Sequence, residues 1–201
     1  MNFRNVALIA ALGLAGCSSA PTHYYTLMET APDAPATARP GNAPFQLQVL
    51  SARMPVQVDQ PQLVVRQDQG ALAILENDRW GAPLADEFHD ALAYQLERET
   101  GSRDLAGMPK AAGLPVLSVQ TDVRRFDSLL GRYAFVDVVW SLTLRDGEQR
   151  RSLTCASELR EPAGADINSL VMAHQQVVGQ LAKRIANTAR AWAQSPAAGC
   201  Q

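Results

Sequence analysis

The spacing of apolar side chains predicts a domain of short strands and two long helices. Apolar residues alternate with polar ones at Phe45, Leu47 and Val49, which is the period of a half-buried strand. The strand-like runs QLVVRQ and GALAIL come next along the chain and meet at residues 67–70. Asp68 and Gly70 there are residue types that favour a turn. This stretch therefore predicts a hairpin.

Three further strand-like runs lie together in the second half of the chain: VLSVQTDVRRF, RYAFVDVVWSLTL and QRRSLTCASELR. Residues 128–131 separate the first two, and Asp146-Gly147 separates the last two with a tight-turn pair. Consecutive strands joined by such short turns predict an antiparallel meander.

Two stretches carry the three-and-four spacing of an amphipathic helix. The first opens at Pro83, places Leu84, Phe88 and Leu92 on one face, and closes at Gly101. Its carboxylates, including Asp86, Glu87 and Asp90, are expected on a solvated acidic face. The second runs from about Ile167 to Trp192, with Asp166 as its cap. The expected fold class is α+β: a mostly antiparallel sheet with two amphipathic helices packed on it, in a single domain.

The strand over 132–145 is apolar on both sides. One face carries Val136, Val138 and Trp140, and the other carries Tyr133, Phe135 and Val139. Either this is a central strand covered on both faces, or Tyr133, Phe135 and Val139 form a face left for a partner or a lipid. The pattern leaves both interpretations open.

The amino-terminal residues have the pattern of a secretory signal peptide. One basic residue, Arg4, precedes the apolar run VALIAALGLA, which is too short to span a bilayer. The run ends in Leu14-Ala15-Gly16-Cys17, which resembles the lipobox of bacterial lipoproteins. That resemblance implies cleavage between Gly16 and Cys17 and lipidation of Cys17 with acyl chains such as palmitate, whereas the alternative is a plain secreted protein. Several acyl chains would hold the protein firmly. The resemblance also brings in a bacterial sorting rule, by which Asp directly after the lipidated cysteine retains a lipoprotein in the inner membrane. Because this position is Ser18, the periplasmic face of the outer membrane is favoured.

The expected organisation is a signal peptide at 1–16, a lipidated tether at 17–23, one domain at 24–195 and a disordered tail at 196–201. Residues 29–44 contain four prolines and no apolar period, so they predict a loop within that domain. Removing the first 16 of 201 residues leaves 185, enough for a substantial core.

Charge and cysteine content narrow the choice of partners. The formal net charge of −2 argues against a nucleic-acid partner. With Cys17 lipidated, Cys155 and Cys200 form an even pair in an oxidising compartment, and a bridge would close a loop of about 45 residues worth about 4 kcal/mol. A buried thiol at Cys155 and a free thiol at Cys200 is the alternative.

The sequence contains none of the motifs typical of catalysis or resident metals. It has no Walker loop, no G-x-S-x-G, no H-E-x-x-H and no C-x-x-C. Asp86, His89 and Asp90 could hold a metal weakly, but a solvated charged face is the favoured account. His174 lies in an apolar stripe and is expected in the core or an interface. We therefore predict a protein that is not an enzyme, with no catalytic residues, metal site or cofactor.

The order of features resembles the ABC-type transport auxiliary lipoprotein family, the PqiC-like outer-membrane lipoproteins. The resemblance rests on the lipobox, the segment Tyr24-Tyr25-Thr26-Leu27, the helix start Arg79-Trp80-Gly81-Ala82-Pro83-Leu84, and the later Phe126-Asp127, Gly131 and Trp140. It covers nearly the whole mature chain.

The resemblance implies a function in lipid transport. The expected role is that of an outer-membrane-anchored, non-catalytic auxiliary component of an MCE-type ABC system that moves phospholipid or other apolar molecules and supports membrane integrity. Its partners would be the outer membrane and an MCE-domain periplasmic protein, and it could assemble as a homo-oligomer. Two alternatives stay open: a regulatory lipoprotein that activates a cell-envelope enzyme or builds a secretion assembly, and a periplasmic lipid carrier.

Overall fold

The computed structural model describes residues 20–30, 44–68 and 70–201. In chain order the elements are β1 (His23–Tyr25), β2 (Gln46–Val49), β3 (Gln62–Arg66), β4 (Leu72–Trp80), α1 (Leu84–Thr100), β5 (Val116–Leu129), β6 (Tyr133–Asp146), β7 (Gln149–Pro162) and α2 (Ile167–Gln194). The predicted α+β class is confirmed. The signal peptide, Gly16 and Cys17 lie outside the described residues, as does most of the proline-rich loop.

The strands form two sheets. The larger sheet has the order β2-β5-β6-β7, and the smaller has the order β1-β4-β3. The pairs β3·β4, β5·β6 and β6·β7 are antiparallel, whereas β1·β4 and β2·β5 are parallel. Mostly antiparallel pairing is as predicted. The division into two sheets depends on which distant strands β1 and β2 join, and that information is absent from local hydrophobic patterns.

Strand β6 buries one face completely and the other only in part. Ala134, Val136, Val138 and Leu142 are each 0 % exposed, and α2 packs over this side. The residues between them, including Tyr133, are partly exposed. We call the partly exposed side of β5, β6 and β7 the outer face.

Both helices begin and end close to their predicted bounds. Gly101 follows α1 with φ 72°, and its N–H donates to the carbonyl of Glu97, the left-handed geometry for which glycine is preferred. At the start of α2, the carboxylate of Asp166 accepts a hydrogen bond from the N–H of Ser169 at 2.9 Å. Each helix buries an apolar stripe in the core: α1 packs mainly on α2 and also on β2, and α2 packs on β6 and β7.

The carboxyl-terminal residues are fastened to the domain. Cys155 and Cys200 form a disulfide across a sequence separation of 45. The N–H of Gln201 donates to Thr188 Oγ1 at 3.3 Å, and Ala198 packs against the core. The tail expected at 196–201 to be disordered is therefore placed against the domain, because the covalent link at Cys200 returns it to β7.

Candidate functional site: the anchor segment and the outer face

Residues 23–28, which we call the anchor segment, are the first part of the domain after the predicted lipid attachment site. Glu87, one turn into α1, holds them. Its Oε2 accepts hydrogen bonds from Thr26 Oγ1 at 2.7 Å and from the N–H of Leu27 at 2.8 Å, while Oε1 accepts from the N–H of Ala82 at 3.1 Å. Three donors offset the cost of burying the carboxylate.

Glu87 corrects the sequence interpretation, which placed its side chain on a solvated acidic face. It is only 7 % exposed. The only signal in the sequence was a carboxylate in the first turn of a helix, where free N–H groups are available to such side chains. The donor from the anchor segment lies about 60 residues earlier, so spacing alone could not identify it.

Further contacts fix the anchor segment on both sides. The carbonyl of Tyr25 accepts a hydrogen bond from the N–H of Gly81 at 2.8 Å. From α2, Gln175 Nε2 donates to the carbonyls of Thr26 at 3.0 Å and Met28 at 3.1 Å. The anchor segment is thus tied to the first turn of α1 and to the third turn of α2.

The hydroxyl of Tyr25 adds a side-chain contact, donating to Asp78 Oδ1 at 3.0 Å. Burial raises the pKa of Tyr25, and the bond to Asp78 raises it further.

Close approach explains the glycine at position 81. A Cβ there would lie 3.1 Å from Glu87 Oε1 and 3.6 Å from the carbonyl oxygen of Tyr25. A larger side chain would push against the carboxylate that holds the anchor segment. Gly81, in the helix-start segment 79–84, therefore allows the close approach of Glu87 and Tyr25.

An aromatic cluster continues from this contact into the core. Trp80 meets Phe126 edge-on at 6.3 Å between ring centroids, and Phe126 stacks on His174 at 4.0 Å. His174 is 0 % exposed, and its Nε2 lies 2.8 Å from Ser128 Oγ. Burial lowers the pKa of His174 to about 3, although the charge of Asp127 acts in the opposite direction. Of the two places expected for His174, the structure shows the core.

Asp127 links this region to the outer face. Its carboxylate is buried and pairs with Arg66 Nη2 at 2.9 Å and with Arg125. The hydrogen bond to Asp127 is the main reason that the pKa of Arg66 is raised. The smaller sheet, through β3, is thereby joined to β5.

The outer face carries the residues that the sequence marked as a partner or lipid face. The guanidinium of Arg160 lies 3.7 Å from the ring centroid of Tyr133, and that of Arg125 lies 5.0 Å from that of Phe135. Val139 lies on the same face between Asp122 and Ala156. The three predicted residues share one surface, whose rings are partly covered by arginine side chains.

The weak metal candidate on α1 forms a local contact. His89 Nδ1 lies 2.9 Å from Asp90 Oδ1. Within residues 20–30, 44–68 and 70–201, no group of three or more His, Cys, Asp or Glu side chains is arranged to hold a metal ion. Over the same ranges, neither helix combines the length and apolar character needed to cross a membrane.

Comparison with known proteins agrees with these observations. A family model described as "ABC-type transport auxiliary lipoprotein component" matches residues 25–186. A crystal structure of a protein from Xanthomonas campestris assigned to family DUF330 is 19 % identical, with 87 % of this chain and 98 % of that chain covered and a TM-score of 0.62. A crystallised uncharacterized protein is 17 % identical, covers 84 % of this chain and 98 % of its own, and has a TM-score of 0.60. At these identities the likeness shows the fold. None of the curated proteins matches significantly.

Proposed function

Because the chain belongs to the family of ABC-type transport auxiliary lipoprotein components, we propose that it is a non-catalytic adaptor on the periplasmic face of the outer membrane. In this role it docks an MCE-domain protein of an ABC system that moves phospholipid or another apolar molecule. Loss of the protein would then weaken the outer membrane as a barrier.

The observation that carries the proposal is the fastening of the anchor segment. Glu87 of α1 and Gln175 of α2 hold Thr26 and the residues beside it against both helices. His23 lies six positions after Cys17, which gives this tether a reach of about 20 Å when extended. A lipidated Cys17 would hold the domain close to one membrane, as suits a docking component rather than an activator that reaches across the periplasm.

The outer face supports a partner-binding role. It displays Tyr133, Phe135 and Val139 on long strands, with arginines stacked on the two rings. Among the described elements, α2 packs on the opposite side of β6 and β7. Aromatic and arginine side chains together are typical of protein interfaces.

Site-specific photo-crosslinking in cells tests the proposal. A photoreactive residue at Val139 should capture an MCE-domain protein, and the matched position Lys183, exposed on α2, should not. Capture of peptidoglycan enzymes alone would support the regulatory alternative and refute the adaptor. Equal capture from both positions would refute docking on the outer face.

Fractionation tests the anchor. The intact protein should sediment with the outer membrane, and Cys17→Ala should be soluble and lack the mass of the lipid. Retention of Cys17→Ala in the outer membrane with unaltered mass would contradict the lipid attachment. Cells without the protein should become sensitive to detergent, and unchanged detergent resistance would argue against a role in membrane integrity.

A further inference from the structure

The hairpin end of β6 and β7 combines a cleft with three arginines. The cleft has a volume of about 300 Å³ and lies at the β6–β7 hairpin beside the residues that follow α2. It is lined by Leu144, Asp146, Gln149, Arg150, Arg151 and Pro196. Arg145 is the direct cross-strand neighbour of Arg150.

These arginines have no negatively charged partner among the described residues. In the part of the chain that the structure describes, none of Arg145, Arg150 and Arg151 forms a salt bridge. Like charges directly opposite each other on paired strands destabilise a sheet, so Arg145 and Arg150 cost the fold stability. A bound anion would remove that repulsion.

Arg151 is held by two contacts with α2 and has one donor without a partner in the described part of the chain. Its guanidinium lies 4.6 Å from the ring centroid of Trp192, and its Nη2 donates to the carbonyl of Ala193 at 3.1 Å. Its Nη1 is buried and has no hydrogen-bond partner among the described residues. A buried donor left without a partner is costly, and a ligand or ordered water at the cleft would satisfy it. Asp146 adds one negative charge to the wall, so the two lining arginines leave a net positive charge.

The position of the cleft indicates which anion is relevant. Gln175 of α2 donates a hydrogen bond to the anchor segment. From Gln175 the helix extends roughly 28 Å further to Gln194, at about 1.5 Å per residue. The cleft therefore lies at the end of the domain opposite the anchor segment, away from the headgroups of the membrane that would hold Cys17. This placement favours an acidic protein over a lipid surface.

We infer that the cleft binds a carboxylate-bearing segment of a protein partner, with Arg150 and Arg151 as the anion-binding residues and Arg145 reinforcing the charge. The inference rests on the proposed adaptor function, because it identifies the partner as the docked transport protein. Bidentate pairing of arginine with carboxylate gives such a contact both strength and orientation.

Peptide binding to the full lipidated chain in detergent micelles tests the site. The probe is a fluorescein-labelled tetraglutamate peptide, and the matched neutral probe is tetraglutamine. Binding of tetraglutamate should weaken as salt rises. Arg150→Gln should weaken it by about tenfold, and Arg151→Lys, which keeps the charge but loses the fork, by less. Arg53→Gln, at an exposed arginine elsewhere, is the matched control and should bind like the wild type.

Thermal unfolding separates a binding role from a merely structural one. Arg150→Gln should raise the unfolding midpoint while it weakens binding, because it relieves the repulsion from Arg145. Equal affinity for tetraglutamine, or full affinity in Arg150→Gln, would overturn the inference. Binding of phosphatidylglycerol vesicles through the same arginines without binding of tetraglutamate would overturn the protein partner.

Cellular crosslinking distinguishes this inference from the adaptor proposal. If Val139 captures the MCE-domain protein equally well in the wild type and in Arg150→Gln, the adaptor stands and the partner assigned to this cleft is wrong. If the wild type binds tetraglutamate but captures no MCE-domain protein, the anion site stands while the adaptor and the identity of its partner fail.

Discussion

Acidification should destabilise this domain through His174. Its ring is fully buried between Phe126 and the surrounding core, and burial lowers its pKa from 6.5 to about 3. Below pH 6.5 the imidazole of His174 is therefore protonated in the unfolded chain, but it stays neutral in the folded chain until the pH approaches 3. The stability that the neutral ring contributes is present above the unfolded pKa and is lost as pH falls towards the folded pKa.

The magnitude follows from the two pKa values. Between pH 7 and pH 5 the folded histidine stays neutral while the unfolded one becomes charged, which lowers the free energy of unfolding by about 2 kcal/mol. The negative charge of Asp127 raises the pKa of His174, but burial lowers it by more. The loss should continue by about 1.4 kcal/mol per pH unit until the pH approaches 3.

Urea unfolding at pH 7 and pH 5 measures the difference. Two variants, His174→Phe and His174→Asn, should each lose most of the pH dependence, whatever they do to stability at pH 7. His23→Gln, at a largely exposed histidine, is the matched control and should keep the wild-type difference. A wild-type difference that survives in both His174 variants would refute the reasoning.

Three other predictions test the anchor contact, the glycines at the end of α1 and within α2, and the tail. Glu87→Gln should lower the free energy of unfolding in urea by about 1–3 kcal/mol, because the amide N–H groups would face donors that now bond to the carboxylate oxygens. An equal loss for the exposed control Asp86→Asn would contradict this. Gly101→Ala should destabilise the domain by about 1 kcal/mol, because the φ of residue 101 is 72°. Gly179→Ala should stabilise it by about 0.5–1 kcal/mol, because an added Cβ meets nothing closer than 3.8 Å. Shifts of the thermal unfolding midpoint in the same direction for both variants would be inconsistent with this account. Cys200→Ser should cost about 2–4 kcal/mol by opening a loop with a sequence separation of 45, and reductant should then have no further effect; a wild type insensitive to reductant in the same urea assay would argue against the disulfide.

The predicted motifs are explained by where they meet. Tyr25 pairs with Trp80 in the smaller sheet, and Trp80 packs against Phe126 from the larger sheet. Residues that the sequence shows as separate signals thus join the anchor segment to the core. Their order along the chain was readable, but their convergence depends on long-range strand pairing.

The outer face was predictable in part. Alternation in β6 identified Tyr133, Phe135 and Val139 as one surface, because successive strand residues point to opposite sides. The pattern could not decide whether another layer covers that surface. In the described residues α2 lies on the opposite side of β6, and the outer-face residues of β6 are partly exposed.

The sequence by itself determined the features that depend on neighbouring residues. The helix that closes at Gly101, the cap at Asp166 and the meander of β5 to β7 all follow from local spacing and turn chemistry. Tertiary structure alone decided the burial of Glu87, the neutral state of His174 and the division into two sheets. Each of these depends on residues far away in the chain. The free-energy cost of burying a charged or polar group, and the hydrogen bonds that offset it, arise only once the fold brings those residues together.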